Sequence, residues 1–183
     1  MKILFINACV REESRTLCLA QAFLSRLQGD IQELDLQTLG LFPLTRETLA
    51  LRETLAKEKA WEHPMFNLAR EFAQADHIVI AAPYWDLGFP ALLKLYLEDV
   101  TVAGITFSYA EGVPVGLCRA KKLTYFTTAG GKIFQDFGYS YVKTLAETFY
   151  GIDETECYFA ENTDVLGVTN QTLFEMLDIQ HKG

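Results

Sequence analysis

Short apolar runs alternate with stretches of helical period along this chain. Residues 2–7 (Lys-Ile-Leu-Phe-Ile-Asn) and 76–82 (Asp-His-Ile-Val-Ile-Ala-Ala) are rich in branched and aromatic residues, the pattern of strands covered on both faces. Residues 122–128 (Lys-Leu-Thr-Tyr-Phe-Thr-Thr) predict another strand, and 156–160 (Glu-Cys-Tyr-Phe-Ala) a further one. Residues 31–36 (Ile-Gln-Glu-Leu-Asp-Leu) are more polar and suit an edge strand. Between these runs the period changes. Leu17, Ala20, Phe23, Leu24 and Leu27 mark one face of a helix over about 16–28, ended by Gln28-Gly29. Met65, Leu68, Ala69, Phe72 and Ala73 do the same behind Pro64, a residue suited to a first helical turn. Pro90 opens a third helix carrying Ala91, Leu92, Leu95, Tyr96 and Asp99. Tyr141, Leu145, Ala146 and Phe149 mark a fourth, stopped at Gly151, and Leu173, Phe174 and Leu177 predict a C-terminal one. Parallel neighbours need a crossover, so this alternation predicts an α/β fold: one parallel sheet with helices on both faces.

The stretch 44–63 breaks the rhythm. Arg46, Glu47, Arg52, Glu53, Lys57, Glu58 and Lys59 crowd it with charge, and Leu49, Leu51 and Leu55 are interspersed. It reads either as a solvated helical excursion or as a segment that faces a partner subunit.

Composition narrows the class. The 183 residues are half apolar and 22% charged, which fits one domain over 1–183 and excludes collagen-like and disordered chains. No apolar run reaches the 18 or so residues of a membrane span, and the opening Met1–Ile6 reads as a strand, not a secretory signal. A formal charge of −8 argues against a general nucleic-acid binder, which needs a basic face, but leaves room for one small anion at a local site. Cys9, Cys18, Cys118 and Cys157 have no C-x-x-C spacing, and His63, His77 and His181 are scattered, so no metal site is expected. Reduced thiols and a cytoplasmic location are the simplest expectation.

In an open, doubly wound sheet a ligand binds outside the carboxyl ends of the strands. Three segments therefore belong together. Residues 8–16 (Ala-Cys-Val-Arg-Glu-Glu-Ser-Arg-Thr) hold neither the G-x-G-x-x-G of a dinucleotide site nor the G-K-[ST] of a P-loop. They do suit one terminal phosphate: the Ser14 and Thr16 hydroxyls lie at a helix start, with Arg11 and Arg15 as local positive charge. Ser14 equally suits a plain N-cap. Pro83-Tyr84-Trp85-Asp86-Leu87-Gly88-Phe89 sets three aromatics at a strand end, either to meet a flat ligand or to tuck under loops or a second subunit. Thr127-Thr128-Ala129-Gly130-Gly131 closes the fourth strand with hydroxyls and paired glycines, which serve a turn or let backbone approach a ligand. Jointly the three segments fit a planar ring on a ribityl-phosphate tail. The strand ending Ala82-Pro83 lacks the aspartate that a phospho-receiver carries there.

The run Ala82-Pro-Tyr-Trp-Asp-Leu-Gly-Phe-Pro-Ala-Leu-Leu-Lys-Leu-Tyr-Leu-Glu-Asp-Val100, then Gly104-Ile-Thr-Phe-Ser-Tyr109 and Gly112…Gly116-Leu117, resembles the flavodoxin-like NAD(P)H:quinone oxidoreductases and FMN-dependent azoreductases. The resemblance runs over nearly the whole chain. It implies a flavodoxin-like five-stranded parallel sheet of order 2-1-3-4-5. It also implies noncovalent FMN (FAD in some members), a homodimer with flavins at the subunit interface, and NADH or NADPH as reductant. The implied reaction is a two-electron reduction of quinone, azo or nitro acceptors by a ping-pong mechanism through flavin N5. Ser14 and Thr16 match the family's paired phosphate hydroxyls in the 9–16 loop, Tyr84 to Leu87 would line the isoalloxazine, and Thr127–Gly131 would meet its pyrimidine edge. Phe107 and Tyr109 would cover the site. Asp86 stands where members usually carry Asn, and Cys9 where many have Ser. A flavodoxin-type electron carrier, which docks a redox partner, and a flavin-free binding or regulatory protein of the same fold are the competing expectations.

Overall fold

Residues Lys2–Asn7 form β1, in which every residue after Lys2 is buried. The chain is described from a computed structural model over residues 1–164, 168–169, 171–173 and 175. In chain order there follow α1 (Arg15–Leu24), β2 (Asp30–Asp35), α2 (Arg46–Lys57), α3 (Asn67–Gln74), β3 (His77–Ala81) and α4 (Ala91–Val100). Then come β4 (Phe107–Ala110), β5 (Val113–Gly116), β6 (Lys122–Thr128), α5 (Tyr139–Leu145) and β7 (Glu154–Ala160). Five strands make one parallel sheet in the order β2-β1-β3-β6-β7, which is the predicted 2-1-3-4-5 when strands are counted within that sheet.

Strand alternation divides the core. Leu4, Ile6, Ile78, Ile80, Leu123 and Tyr125 point to the face covered by α3, α4 and α5. Ile3, Phe5, Val79, Ala81, Phe126 and Tyr158 point to the other, where Leu19, Ala20 and Phe23 of α1 pack with Leu173. Helices thus lie on both faces. Of the C-terminal helix, residues 171–173 and 175 are helical; Phe174 and Leu177 lie outside the described residues.

Element boundaries moved for identifiable reasons. α1 stops at Leu24, short of Leu27, because its last turn tightens: Arg26 N donates to Phe23 O and Leu27 N to Leu24 O, while Ser25 Oγ caps Ala22 O. Pro64 opens a single 3-10 turn (Pro64–Phe66) that leads into α3. α5 runs on through a π turn at Ala146–Tyr150 and ends at Gly151, as predicted.

The 44–63 stretch is the helix α2, with a Thr45–Thr48 capping box and no fully buried residue. It is not merely solvated. Leu55, Ala56 and Trp61 pack on Phe66, Ala69 and Val102. Arg52 donates to the carbonyls of Glu98 (2.9 Å) and Thr101 (2.6 Å), satisfying the C-terminal end of α4.

The β4–β5 hairpin was absent from the sequence-based pattern. It grows from a turn in which Thr106 Oγ1 donates to Val100 O (2.8 Å) and accepts from Val102 N (2.9 Å). Gly104 sits there at φ +95°, and a Cβ on it would meet the Trp61 ring at 2.6 Å, so only glycine fits. The G-x-T-F motif therefore ends α4 and seats Trp61.

Candidate active site

The loop after β1 is held from below. Cys9 N donates to Asn7 Oδ1 (3.0 Å), Ala8 N to Ala81 O (2.9 Å), and the Cys9 thiol faces Ala81 O (3.7 Å). Cys9 is buried, and that burial pushes its thiol up to about 11 despite a hydrogen bond with Ser14. It lies beneath the loop, outside the wall of the cleft described below.

Ser14 is the N-cap of α1: its Oγ accepts from Leu17 N (3.3 Å), and its carbonyl accepts from Cys18 N (3.0 Å). The next two N–H groups, those of Arg15 and Thr16, have no intrahelical acceptor by helix geometry and point out of the helix end. The Thr16 hydroxyl instead bonds the Thr128 hydroxyl across a buried 2.7 Å gap. Arg15 pairs with Asp164 and donates to Thr163 Oγ1 (3.1 Å).

After β3 the chain keeps its pairing with β6, since Ala82 N reaches Phe126 O and Tyr84 N reaches Thr128 O, each at 3.0 Å. It then folds back on itself: Trp85 N donates to Gly88 O (3.2 Å) and Gly88 N to Trp85 O (2.8 Å). The two residues between, Asp86 (φ 50°) and Leu87 (φ 67°), are both left-handed, as a type I′ turn requires. A branched-chain residue such as Leu87 is costly there. Backbone strain at a strand's carboxyl end is a feature of sites built to present a loop to a ligand.

The third segment is fixed by the chain beyond β7. Gly130 O accepts from Asp164 N (3.0 Å), Gly131 O from Asn162 N (2.8 Å), and Ala129 O from Thr163 Oγ1 (2.9 Å). A Cβ on Gly130 would lie 2.1 Å from Asp164 Oδ2, whereas Gly131 has open space beside it.

These segments enclose a cleft of about 780 Å³ at the carboxyl edge of the sheet. Arg11, Ser14, Arg15, Thr16, Pro83, Tyr84, Trp85, Thr128 and Gly130 line it, nine of the residues singled out from sequence. Asp86, Leu87, Ala129 and Gly131 stand on the same rim outside that wall, and Thr127 lines a neighbouring cavity. Sequence reasoning missed Glu12, Glu13, Cys18, Thr163 and Asp164, which also line the cleft. Thr163 and Asp164 had a signal: polar residues directly after the fifth strand fall on the ligand-bearing edge.

Phe107 and Tyr109 are elsewhere. The Phe107 ring packs edge-on against Phe149 (centroids 4.9 Å) and Tyr109 (5.4 Å). Phe149 precedes Gly151 at the end of the α5 segment, toward the amino edge of the sheet where β7 begins. The two residues are thus held away from the cleft of their own chain, and Tyr109 is 61% exposed on the hairpin beside exposed Val113 and Val115.

Chemically, the cleft offers free backbone N–H groups at the start of α1, the Thr128 and Gly130 strand end directly beside them, and aromatic surface from Tyr84 and Trp85 along its side. Among the described residues no histidine lines it; its titratable groups are the Glu12, Glu13 and Asp164 carboxylates, the Arg11 and Arg15 guanidinium groups, Cys18 and Tyr84. Its donors suit an anionic tail and a flat ring.

Comparison with known proteins agrees with this architecture. A family model described as flavodoxin-like fold matches residues 1–178. An FMN-dependent NADH:quinone oxidoreductase 2 of Clostridium acetobutylicum is 36% identical over 179 residues, covering 91% of this chain and 88% of that protein. An FMN-dependent NADH:quinone oxidoreductase of Coprothermobacter proteolyticus is 32% identical over 179 residues, covering 91% and 89%. The crystal structure of an azoreductase from Bacillus anthracis superposes with a TM-score of 0.82 at 24% identity over the whole of both chains, a likeness of fold. The chain belongs to the flavodoxin-like-fold family, together with proteins named FMN-dependent NADH:quinone oxidoreductase.

Proposed function

We propose that this protein is an FMN-dependent NADH oxidoreductase that reduces quinone, azo or nitro acceptors by two electrons. The observation that carries the reading is the convergence of three differently built segments on one cleft: a helix N-terminus, a strained aromatic turn and a glycine-bearing strand end. Each suits one part of a flavin mononucleotide.

Ser14 Oγ accepts from Leu17 N, and its O–H, which bonds the Cys9 sulfur, would turn to donate to a phosphate oxygen. The N–H groups of Arg15 and Thr16 add two donors and the positive end of the helix dipole. Arg11 and Arg15 supply charge; Tyr84 and Trp85 supply the flat apolar wall. The Asp86–Leu87 turn and the Gly130–Gly131 backbone would meet the ring edge. When bound, FMN would supply the two-electron redox chemistry at its N5. The chain's contribution is to anchor the phosphate, hold the ring against Tyr84 and Trp85, and exclude water from one face. One open face receiving reductant and acceptor in turn gives ping-pong kinetics.

A homodimer completes the reading. Phe107 and Tyr109 do not line their own cleft, and the exposed hairpin that carries Tyr109, with Phe107 packed beneath it, is suited to covering the cleft of a second copy.

The test is colour. Purified protein should be yellow or become so with FMN, and the flavin should bleach anaerobically with NADH and recover with a quinone. Flavin that bleaches only with a protein partner would favour an electron carrier. A chain that binds no flavin would favour a binding or regulatory role.

A further inference from the structure

A pocket of about 300 Å³ opens where α2, α3 and α4 meet the loop after β2, and it shares no residue with the cleft. Its size is at the lower end of the roughly 300–1,000 Å³ of small-molecule sites. Leu39, Leu41 and Phe42 of that loop, with Met65 and Leu68 around the start of α3, make most of its wall apolar. Its polar groups come from Thr48 and Arg52 of α2 and Asp99 of α4.

Two of these three groups are already committed. Thr48 Oγ1 accepts from Thr45 N (2.8 Å) in the capping box of α2, and Arg52 spends its terminal amino groups on the carbonyls of Glu98 and Thr101. Asp99 is different. It is half-buried and retains accessible surface on the pocket wall, yet among the described residues no hydrogen bond or ion pair reaches its carboxylate. Its surroundings are short of positive charge. Glu98 and Asp99 both stand at the carboxyl end of α4, whose last turn holds no basic residue, and that end carries the negative pole of the helix dipole. Lys94 pairs with Glu98, which leaves Arg52 against both Asp99 and the helix end. Burial raises the Asp99 carboxyl above its ordinary value even with Arg52 nearby, so that guanidinium does not make up for the water the carboxylate has lost.

We infer that this pocket binds a primary ammonium compound with an apolar body of one ring, its N–H groups donating to the Asp99 carboxylate. The ring would lie against Leu39, Leu41, Phe42 and Leu68. A carboxylate without a donor gains more from a charged one than from a neutral one, because the ionic hydrogen bond is the stronger. The helix end and Asp99 disfavour an anion, with Arg52 already turned to the backbone, and the apolar wall disfavours a sugar. The site does not rest on the oxidoreductase reading, since none of its residues lines the cleft.

The test titrates the whole protein, at pH 8 and physiological salt, with 2-phenylethylamine, its neutral counterpart 2-phenylethanol and the anion 3-phenylpropionate. The amine, still charged at that pH, should bind about fivefold more tightly than the alcohol, and the anion more weakly than either. Asp99→Asn, which keeps the shape of the side chain, should bring the amine down to the affinity of the alcohol while the alcohol binds as before. In protein carrying 13C-methyl methionine, the Met65 signal, identified by its loss in Met65→Leu, should shift with the amine and so separate this pocket from other acidic surface. Equal affinities of amine and alcohol, a preference that survives in Asp99→Asn, no binding of the amine, or an unmoved Met65 signal would each overturn the proposal. Tightest binding by the anion would overturn it in favour of Arg52 as the recognising group. None of these readouts requires that FMN bind, so failure here and failure of the oxidoreductase reading are separate results.

Discussion

Thr16 Oγ1 and Thr128 Oγ1 lie 2.7 Å apart in a buried pair that ties the first turn of α1 to the last residue of β6. The helix start and the glycine-bearing strand end are thereby fixed to one another as adjoining walls of the cleft. Thr16→Val removes one hydroxyl and strands the other, and should cost about 1–3 kcal/mol in urea denaturation. The double substitution of both residues to Val should cost clearly less than the two single losses added together. Strict additivity would show that the two hydroxyls are satisfied independently.

The turn at Asp86 and Leu87 makes a second case. Both residues hold positive φ, a conformation Asn adopts more readily than Asp or Leu. Asp86→Asn should therefore raise stability by a few tenths of a kcal/mol, read as the midpoint of chemical unfolding. It also exchanges a carboxylate, which only accepts when ionised, for an amide that donates. Flavin affinity or flavin potential should rise with it. No change in either would show that this side chain does not sense the ring.

The sheet was legible because its central strands are short apolar runs such as Ile3-Leu4-Phe5-Ile6, too short for a helix and rich in branched and aromatic residues, alternating with stretches of helical period. The three loops were legible because topology places the carboxyl ends of strands together. The hairpin was not. Val113-Pro114-Val115-Gly116 has one proline, one glycine and little hydrophobic alternation, and its pairing with Phe107–Ala110 depends on the turn that Thr106 and Gly104 build. The Arg15–Asp164 pair was equally hidden, because it joins residues 149 positions apart. Loop sequence shows which charges are present, not which of them neutralise each other.

That pair yields a charge prediction. Arg11 and Arg15 share the cleft with Glu12, Glu13 and Asp164, so the carboxylates outnumber the guanidinium groups. Asp164→Asn removes one repulsive charge and releases Arg15. FMN should bind roughly two- to fivefold more tightly at low ionic strength, a small effect because both side chains are substantially exposed. The gain should shrink as salt is added. Weaker binding in the variant would show that Asp164 positions Arg15 for the phosphate.

His77, at the start of β3, gives the pH dependence. Thr124 Oγ1 donates its proton to Glu156 Oε1 (2.8 Å), so its oxygen accepts from His77 Nε2–H across 2.8 Å. Burial first, and Lys122 second, hold the imidazole pKa below its ordinary value. The unfolded chain, with an ordinary pKa near 6.5, binds a proton that the folded chain refuses. This contribution is complete above that value and is lost as pH falls below about 6.5. Thermal midpoints should drop between pH 7.5 and 5.5, and His77→Gln should flatten that slope. An unchanged slope would assign the acid sensitivity to the carboxylates.

The cysteines offer a probe of the cleft that needs no activity. The thiolate is the reactive form, and burial pushes the thiols of Cys9 to about 11 and of Cys118 and Cys157 to about 12. At pH 8 these three are almost entirely protonated. Cys18 is half-buried on α1 and lines the cleft beside Ser14 and Arg15. Brief treatment with iodoacetamide should therefore give one major adduct, at Cys18, by peptide mass spectrometry. Saturating FMN should slow that adduct at least several-fold, because a ligand anchored at the start of α1 covers the approach to the thiol. Riboflavin, which lacks the phosphate, should protect poorly at the same concentration. Equal protection by the two would place the flavin's hold on the ring and not on the helix end. Adducts appearing first at Cys9 would mean that the loop above it opens in solution.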